Sequence, residues 1–398
     1  MGEPTGVLEL LFSELPDLER FESTATRSLV ILAAQAGAAL RNVTLIEDLR
    51  GLFEGVVGLT VNAIDEKSPY TGDHCRRVPI LTELIADAVC SSRHGALKDF
   101  TLSETERYEL KIAALLHDCG KVATPVHVMD KATKLETIHD RVELIRLRAE
   151  ILRRDLELRT LHDEILSHGI AVPSATRWSE AASRLDDDLA FVEGTNVGCE
   201  FMPESDRTRI DEIHSRYQWV DWAGLERGFI TDDEAMNLKI SRGTLNDEER
   251  EIINEHVVTT IDLLNQLPFP PDMQNVPAIA GAHHERVDGT GYPKGLGHEE
   301  LSMQGRILGL ADVFEALTAK TRPYKPGISL SDTLHILQRM VDEGHLDRDL
   351  HEVFIQEKVY LRYAVDHLDF EQIDEAHRVA LEAMSAPWAE PSSGPRRS

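Results

Sequence analysis

Thiols are scarce in this chain of 398 residues. Its four cysteines, Cys75, Cys90, Cys119 and Cys199, form no Cys-x-x-Cys pair. That spacing argues against a disulfide framework and a thiolate-rich structural zinc site, and it fits a reducing cytoplasm. Basic residues are also short: 42 Lys and Arg stand against 70 Asp and Glu, a formal net charge of -28. Such a surface repels long polyanions, so duplex DNA or RNA is not an expected partner. A small anionic ligand is still compatible with a few cations gathered in one cleft. No apolar run approaches the roughly 20 residues that a membrane span needs, and no signal peptide opens the chain. A cytoplasmic protein without a membrane partner is therefore expected. Runs of aromatic and β-branched residues are sparse too. Gly6-Val7-Leu8-Glu9-Leu10-Leu11-Phe12 is the best strand candidate and stands nearly alone.

Most of the remainder reads as helix. From about Thr24 to Lys67 there is no proline, and Leu29, Leu32, Ala36, Leu40, Val43 and Ile46 recur at spacings of three and four. The pattern suits one long helix, packed either on its own core or along a parallel dimer seam. Pro69 breaks it, and a second helical region runs from His74 to about Arg93. Ser103-Glu104-Thr105-Glu106 is a capping-box pattern that opens an apolar helix ending in His117-Asp118. Between 134 and 243 the character changes. Leu144, Leu147, Ile151, Leu158, Leu161 and Ile165 repeat at heptad spacing around Arg154, and Trp178, Ala182, Leu185, Leu189 and Val192 do the same. They predict two antiparallel helices forming a coiled-coil-like arm, or else a solvated helical layer on the main domain. A third helical piece is expected from Ile210 to Trp222. The helical core resumes at Thr244-Leu245-Asn246-Asp247-Glu248-Glu249 and runs to about Met384, before a Pro-, Ser- and Arg-containing tail at 386–398 expected to be disordered.

Imidazoles and carboxylates interrupt the apolar helical stretches. His117-Asp118 ends Ile112-Ala113-Ala114-Leu115-Leu116, His283-His284 follows Ile279-Ala280-Gly281-Ala282, and Asp312 lies in Ile307-Leu308-Gly309-Leu310-Ala311. Burying such groups without partners costs several kcal/mol each, and a metal site removes that cost. Nitrogen and carboxylate donors without thiolates suit Fe, Mn, Zn or Ni. On a helix, His117, Asp118 and Lys121 share a face. Asp118 could then bridge two cations while Lys121 reaches a substrate phosphate, and Gly120 leaves room for close approach. Adjacent helical residues diverge by about 100°, so His283-His284 implies either two metals or a helix end. The loop formers Asp288-Gly289-Thr290-Gly291-Tyr292-Pro293 favour the helix end.

Together, His117-Asp118-x-Gly120-Lys121, His283-His284-Glu285-x-x-Asp288-Gly289-x-Gly291-Tyr292-Pro293, and Asp312 followed by Arg322-Pro323-Tyr324-Lys325 resemble the HD-GYP family of bacterial phosphodiesterases. These belong to the HD metal-dependent phosphohydrolases. The resemblance covers about 60–133 and 244–370. It implies an all-α fold with an HD-GYP helical core, a long N-terminal signalling helix and a helical insertion. The segments are 1–66 (GAF-like remnant and linker or dimer helix), 67–133 and 244–385 (the HD-GYP domain in two parts), 134–243 (insertion) and 386–398 (tail).

By the same resemblance, His74, His117, Asp118, His256, His283, His284 and Asp312 would hold a binuclear centre of iron or manganese. Asp118 would bridge, Lys121 would contact the scissile phosphate, and Tyr292, Arg322 and Lys325 would line the substrate groove. The implied reaction is metal-assisted hydrolysis of cyclic di-GMP to pGpG, with GMP as a further product. 3′,3′-Cyclic GMP-AMP hydrolysis, or a nonhydrolytic receptor or scaffold that binds diguanylate cyclase (GGDEF) domains, are the alternatives. A homodimer is expected. Three departures from the family pattern stand out. Tyr70 replaces a third-metal glutamate, so two metals are expected. Glu315 stands where many relatives have aspartate, and the insertion separates segments that are nearly continuous in shorter relatives. Gly6-Val7-Leu8-Glu9-Leu10 and Leu32-Ala33-Ala34-Gln35-Ala36-Gly37-Ala38-Ala39-Leu40 resemble the last strand and closing helix of a GAF domain.

Overall fold

A computed structural model describes residues 24–67, 74–168, 175–199, 201–319 and 328–385. The strand candidate at 6–12, Tyr70, the Arg322-Pro323-Tyr324-Lys325 segment and the tail at 386–398 lie outside the described residues. The chain divides into two units, 1–62 and 63–398.

The described part of the first unit is one helix, α1 (Thr24–Asp65), which continues into the first residues of the second. Its bounds match the proline-free stretch. Leu32, Leu40, Val43 and Ile46 are all exposed, so the apolar row is not spent on a core of its own. Within Val30–Asp65 an 18-residue window has a mean hydropathy of 1.2, so by length and composition alone this helix could cross a membrane. This corrects the expectation that no stretch comes near that length.

In the second unit helices carry most of the core. α2 (His74–Ser91) buries Val78, Leu81, Ile85 and Val89, a row at helical spacing. α3 (Glu104–Leu116) starts with the expected capping box: the Glu106 amide donates to Ser103 Oγ and the Ser103 amide to Glu106 Oε2. It packs on α2 and ends at His117, where the chain tightens into a 3₁₀ turn over Cys119–Val122.

The stretch 134–243 is more than an arm. α4 (Val142–His168) and α5 (Ala175–Asn196) pack together, followed by α6 (Glu204–Arg216), a hairpin of β1 (Gln218–Val220) and β2 (Glu226–Gly228), and α7 (Asp232–Leu238). On α5 the predicted row is the inner one: Ala182, Leu185 and Val192 are buried. On α4 it is not. Leu144, Leu147, Ile151, Leu158 and Ile165 are exposed, and the core takes Val142, Ile145, Ala149 and Leu152 instead. Two apolar rows run side by side on α4, and only tertiary packing selects between them. Phe229, Ile230, Met202 and Leu238 close this separate core. The helix expected to reach Trp222 stops at Arg216, because Gln218-Trp219-Val220 pairs with Glu226-Arg227-Gly228. Asp221 Oδ1 accepts the amides of Ala223 and Leu225, and Gly224 takes φ +81 in the turn.

The segment 134–243 leaves and re-enters the rest of the helical unit at one place. Thr133 bridges to Val197 and Cys199 to Gly243, while Thr244 Oγ1 donates to Lys131 O at 2.9 Å. The segment can therefore be long without displacing what flanks it. α8 (Asp247–Asn265) follows from an Asn246–Glu249 capping box. The short α9 (Val276–Ala280) and α10 (Met303–Thr318) come next, then α11 (Leu330–Asp342), α12 (Arg348–Gln356), α13 (Val359–His367) and α14 (Glu375–Ser385). α10 lies against α2 and α9, and α8 lies against the 3₁₀ turn. An all-α fold is what the residues build, with the two-stranded hairpin as the one sheet among the described residues.

Candidate metal centre

The polar residues that interrupt apolar helices come together in one place. His74 opens α2, His117 caps α3, and Asp118 leads into the 3₁₀ turn. His256 lies in α8, His283 and His284 follow the end of α9, and Asp312 lies in α10. His117, Asp118, His256, His283 and Asp312 are buried, and His74 and His284 are half-buried. His74, His117 and Asp118 form one group with donor atoms close enough to hold a single ion, and His256, His283 and His284 form a second.

Asp118 joins the groups. Its Oδ2 lies 3.5 Å from His74 Nε2 and 3.4 Å from His117 Nε2. Its Oδ1 lies 3.3 Å from His256 Nε2 and 3.9 Å from His283 Nε2. Asp312 Oδ1 serves the first group, 3.1 Å from His74 Nε2 and 3.7 Å from His117 Nε2. The His283 and His284 rings, 4.2 Å apart, sit in the turn after α9. Of the two sequence readings of this pair, the helix end is the local structure. Arg322 and Lys325 fall outside the described residues, so no placement is assigned to them.

Local backbone explains the convergence. His117, His256 and His283 each engage a carbonyl three residues back through Nδ1: Ala114 at 2.8 Å, Ile253 at 2.5 Å and Ala280 at 2.6 Å. A ring held at Nδ1 turns Nε2 towards the site. Gly120 is needed for a different reason. A Cβ there would sit 2.0 Å from His256 O and 2.7 Å from the Thr260 amide. Only glycine lets the 3₁₀ turn lie on α8, where its amide donates to Thr260 Oγ1 at 2.9 Å and Thr260 Oγ1 donates to His117 O at 3.1 Å. Lys121 reaches Asp118 Oδ2 at 2.5 Å through this turn, not along a continuous helix face as expected from spacing.

Electrostatics follow the same division. Burial lowers the pKa of His283 well below the imidazole range, and the neighbouring His284 and His117 add to it. Burial brings His284 down to about 4. Both are thus neutral near pH 7, the form that binds a cation. For Asp118, burial opposes ionisation, but Lys121, His117 and hydrogen bonds from His256 and His74 outweigh it and keep the carboxylate well below its usual range. For Lys121, burial opposes the charge and Asp118 prevails, so the ammonium is retained. Neutral His283 and His284 beside ionised Asp118 and Asp312, with both Asp118 oxygens facing histidine Nε2 atoms, fit a pair of divalent cations. Without cations, burial disfavours the charge on His74, but its hydrogen bonds to Asp118, Asp312 and Glu315 outweigh that and hold its pKa well above the usual imidazole value.

Four contributors, Glu285, Gly291, Thr260 and Glu315, were not singled out for these roles in the sequence. Glu285, next to the two histidines, accepts the amides of Lys294 at 2.7 Å and Leu296 at 2.9 Å, so it braces the loop. A Cβ on Gly291 would meet the Arg286 amide at 2.4 Å, which shows how tightly that loop folds back. It sets Tyr292 in a stack on His284, centroids 4.9 Å apart. Burial pushes the Tyr292 hydroxyl above its usual pKa, so it stays a neutral donor at the rim. Thr260 has no motif around it. Glu315 was noted only as a replacement for aspartate; its position one turn past Asp312 on α10 is the signal that could have marked it.

Two models of the HD domain match the chain, over residues 71–187 and 228–350. A Vibrio cholerae protein named 3′3′-cGAMP-specific phosphodiesterase 2 is 42% identical over 312 residues, 78% of this chain and 35% of the relative. 3′3′-cGAMP-specific phosphodiesterase 1 of the same organism is 38% identical over 114 residues, 29% of this chain and 26% of its own length. A cyclic di-GMP phosphodiesterase of Thermotoga maritima is 31% identical over 126 residues, 29% of this chain and 34% of its own length. The chain thus spans 26% to 35% of the length of these relatives.

Proposed function

We propose that this chain, which models of the HD domain match over 71–187 and 228–350, is a metal-dependent phosphodiesterase of cyclic dinucleotides of the HD-GYP type. The observation that carries the proposal is the bridging geometry of Asp118, one oxygen towards each histidine group. His74, His117, Asp118 and Asp312 would hold one cation, and His256, His283, His284 and Asp118 the other. Iron or manganese suits these donors. Bound there, the cations supply Lewis acidity to a phosphoryl oxygen and lower the pKa of a water.

The chain's own groups do the rest. Lys121, charged and beside Asp118, would hold a nonbridging oxygen of the scissile phosphate as negative charge builds there. Tyr292, fixed by its stack on His284, would donate its hydroxyl to the substrate at the rim, with Arg322 and Lys325 as further cations for the ligand. Asp118 and Asp312 are buried, which keeps bulk water from screening these interactions. Cleavage at one phosphodiester of cyclic di-GMP would yield linear pGpG.

3′,3′-Cyclic GMP-AMP is the second reading, favoured by the names of two relatives. We further propose a cytoplasmic homodimer joined along α1, whose apolar row is exposed, and a diguanylate cyclase domain as a candidate partner. The GAF-like remnant would be the input side of α1.

The test is hydrolysis of both dinucleotides by protein supplied with Mn²⁺ or ferrous iron, with elemental analysis of the same samples. Asp118→Ala should lose both the activity and stoichiometric metal. An Asp118→Ala protein that still binds two metals and turns over substrate would sink the assignment.

A further inference from the structure

Three of the four imidazoles nearest Asp118 are held in the same way. His117, His256 and His283 each set Nδ1 on a carbonyl of the preceding helical turn. His74, the first described residue of α2, is held differently. Its Nδ1 is bonded instead to Glu315 Oε2. The other Glu315 oxygen, Oε1, accepts from Arg77 Nε at 2.7 Å. Glu315 is 0% exposed. Each supporting residue lies three positions past a site residue on the same helix, Arg77 after His74 on α2 and Glu315 after Asp312 on α10. The two helices that deliver two ligands to the first cation position also deliver their support, one turn further along.

We infer that Glu315 and Arg77 are a positioning pair for His74 and set the affinity of one cation position out of two. A carbonyl only orients a ring. A carboxylate also draws the Nδ1 proton and makes Nε2 a stronger donor. Arg77 holds the carboxylate where it can do so. The position served by His74, His117, Asp118 and Asp312 therefore depends on Glu315. The position served by His256, His283 and His284 relies on backbone carbonyls at His256 and His283 and does not. The inference rests on the metal-centre reading above.

The experiment is a Mn²⁺ titration of the full chain after chelator treatment, followed by calorimetry, on wild type and Glu315→Gln. Wild type should bind two Mn²⁺. Glu315→Gln should bind one with unchanged affinity and the other about 10- to 100-fold more weakly. Unchanged affinity at both positions overturns the inference. Equal weakening of both also overturns it, because that marks a general structural role. If Glu315→Gln has lost its helical circular dichroism, Arg77→Gln carries the test. It keeps the carboxylate on His74 and should weaken the same single position several-fold, whereas no change or an equal loss at both positions rejects the pair. Wild-type protein that binds no Mn²⁺ rejects the metal centre itself, a result distinct from the others.

Discussion

Lys121 shows what the backbone does for a single side chain. A regular helix through His117 would also have put it near Asp118, but the 3₁₀ turn and the glycine contact with α8 bring the ammonium to 2.5 Å from the carboxylate. Burial resists the charge and Asp118 restores it. In the proposed assignment Lys121 holds no cation, so its removal separates binding from chemistry. Lys121→Ala should keep both metals and hydrolyse substrate about 10²-fold more slowly, the size seen when one stabilising donor is lost. Single-turnover rates with elemental analysis check this. A metal-free Lys121→Ala protein would mean that the ammonium organises the carboxylate and not the phosphate.

Among the elements, the junction after α1 is the most telling. Lys67, two residues past the end of α1, donates its ammonium to three carbonyls of the Asp118–Lys121 segment and its continuation: Lys121 at 3.0 Å, Val122 at 2.5 Å and Thr124 at 2.7 Å. The segment after α1 is thereby tied to the turn that holds Asp118 and Lys121. Lys67→Met keeps the apolar stem and removes the donors. It should cost about 2 kcal/mol, the range for hydrogen bonds from a charged group. It should also speed amide exchange at 121–124, measured by hydrogen–deuterium exchange, and lower turnover with it. Exchange identical to wild type would show that the turn is held by α8 alone. α4 teaches the complementary lesson. Leu144, Leu147 and Ile151 satisfy a heptad as well as Val142, Ile145 and Ala149 satisfy a helical face, and periodicity has no means to rank them.

At the scale of the molecule, the segment 134–243 has its own core and its own ion pairs. Arg148 on α4 grips Glu234 on α7 with two bonds, 2.9 and 2.6 Å, both side chains largely buried. Burial favours the neutral acid, but the hydrogen bonds from Arg148 and the Thr231 amide outweigh it, so the folded pKa of Glu234 lies below its ordinary value. Its contribution is therefore complete above the unfolded pKa, about 4.3, and is lost as pH falls through the lower folded value. Glu234→Gln should destabilise the protein by about 3 kcal/mol at neutral pH, because Arg148 is left buried without its partner. It should also flatten the stability curve below about pH 4.3. Urea unfolding at a series of pH values measures both, and parallel curves for the two proteins would reject the assignment.

How much was legible depended on range. The helix of α1, the capping boxes at Ser103 and Asn246, and the histidine and aspartate residues lying out of place in apolar stretches are local facts, carried by spacing and side-chain chemistry within a few residues. Gln218-Trp219-Val220 was not legible as a strand, because its partner lies across a turn and the preceding helix signal ran into it. Glu315 and Thr260 were not legible as site supports, since neither has a motif and each acts on a residue more than a hundred positions away.

The amino-acid sequence by itself determined the helical class and which side chains are too polar for their surroundings, because periodicity and burial cost act over one or two turns. Only the tertiary structure decided that those side chains form two groups joined by the two oxygens of Asp118, which row of α4 is inside, and what holds His74. Each of these depends on atoms far apart in the chain meeting at hydrogen-bond distance, and helix packing alone sets that distance.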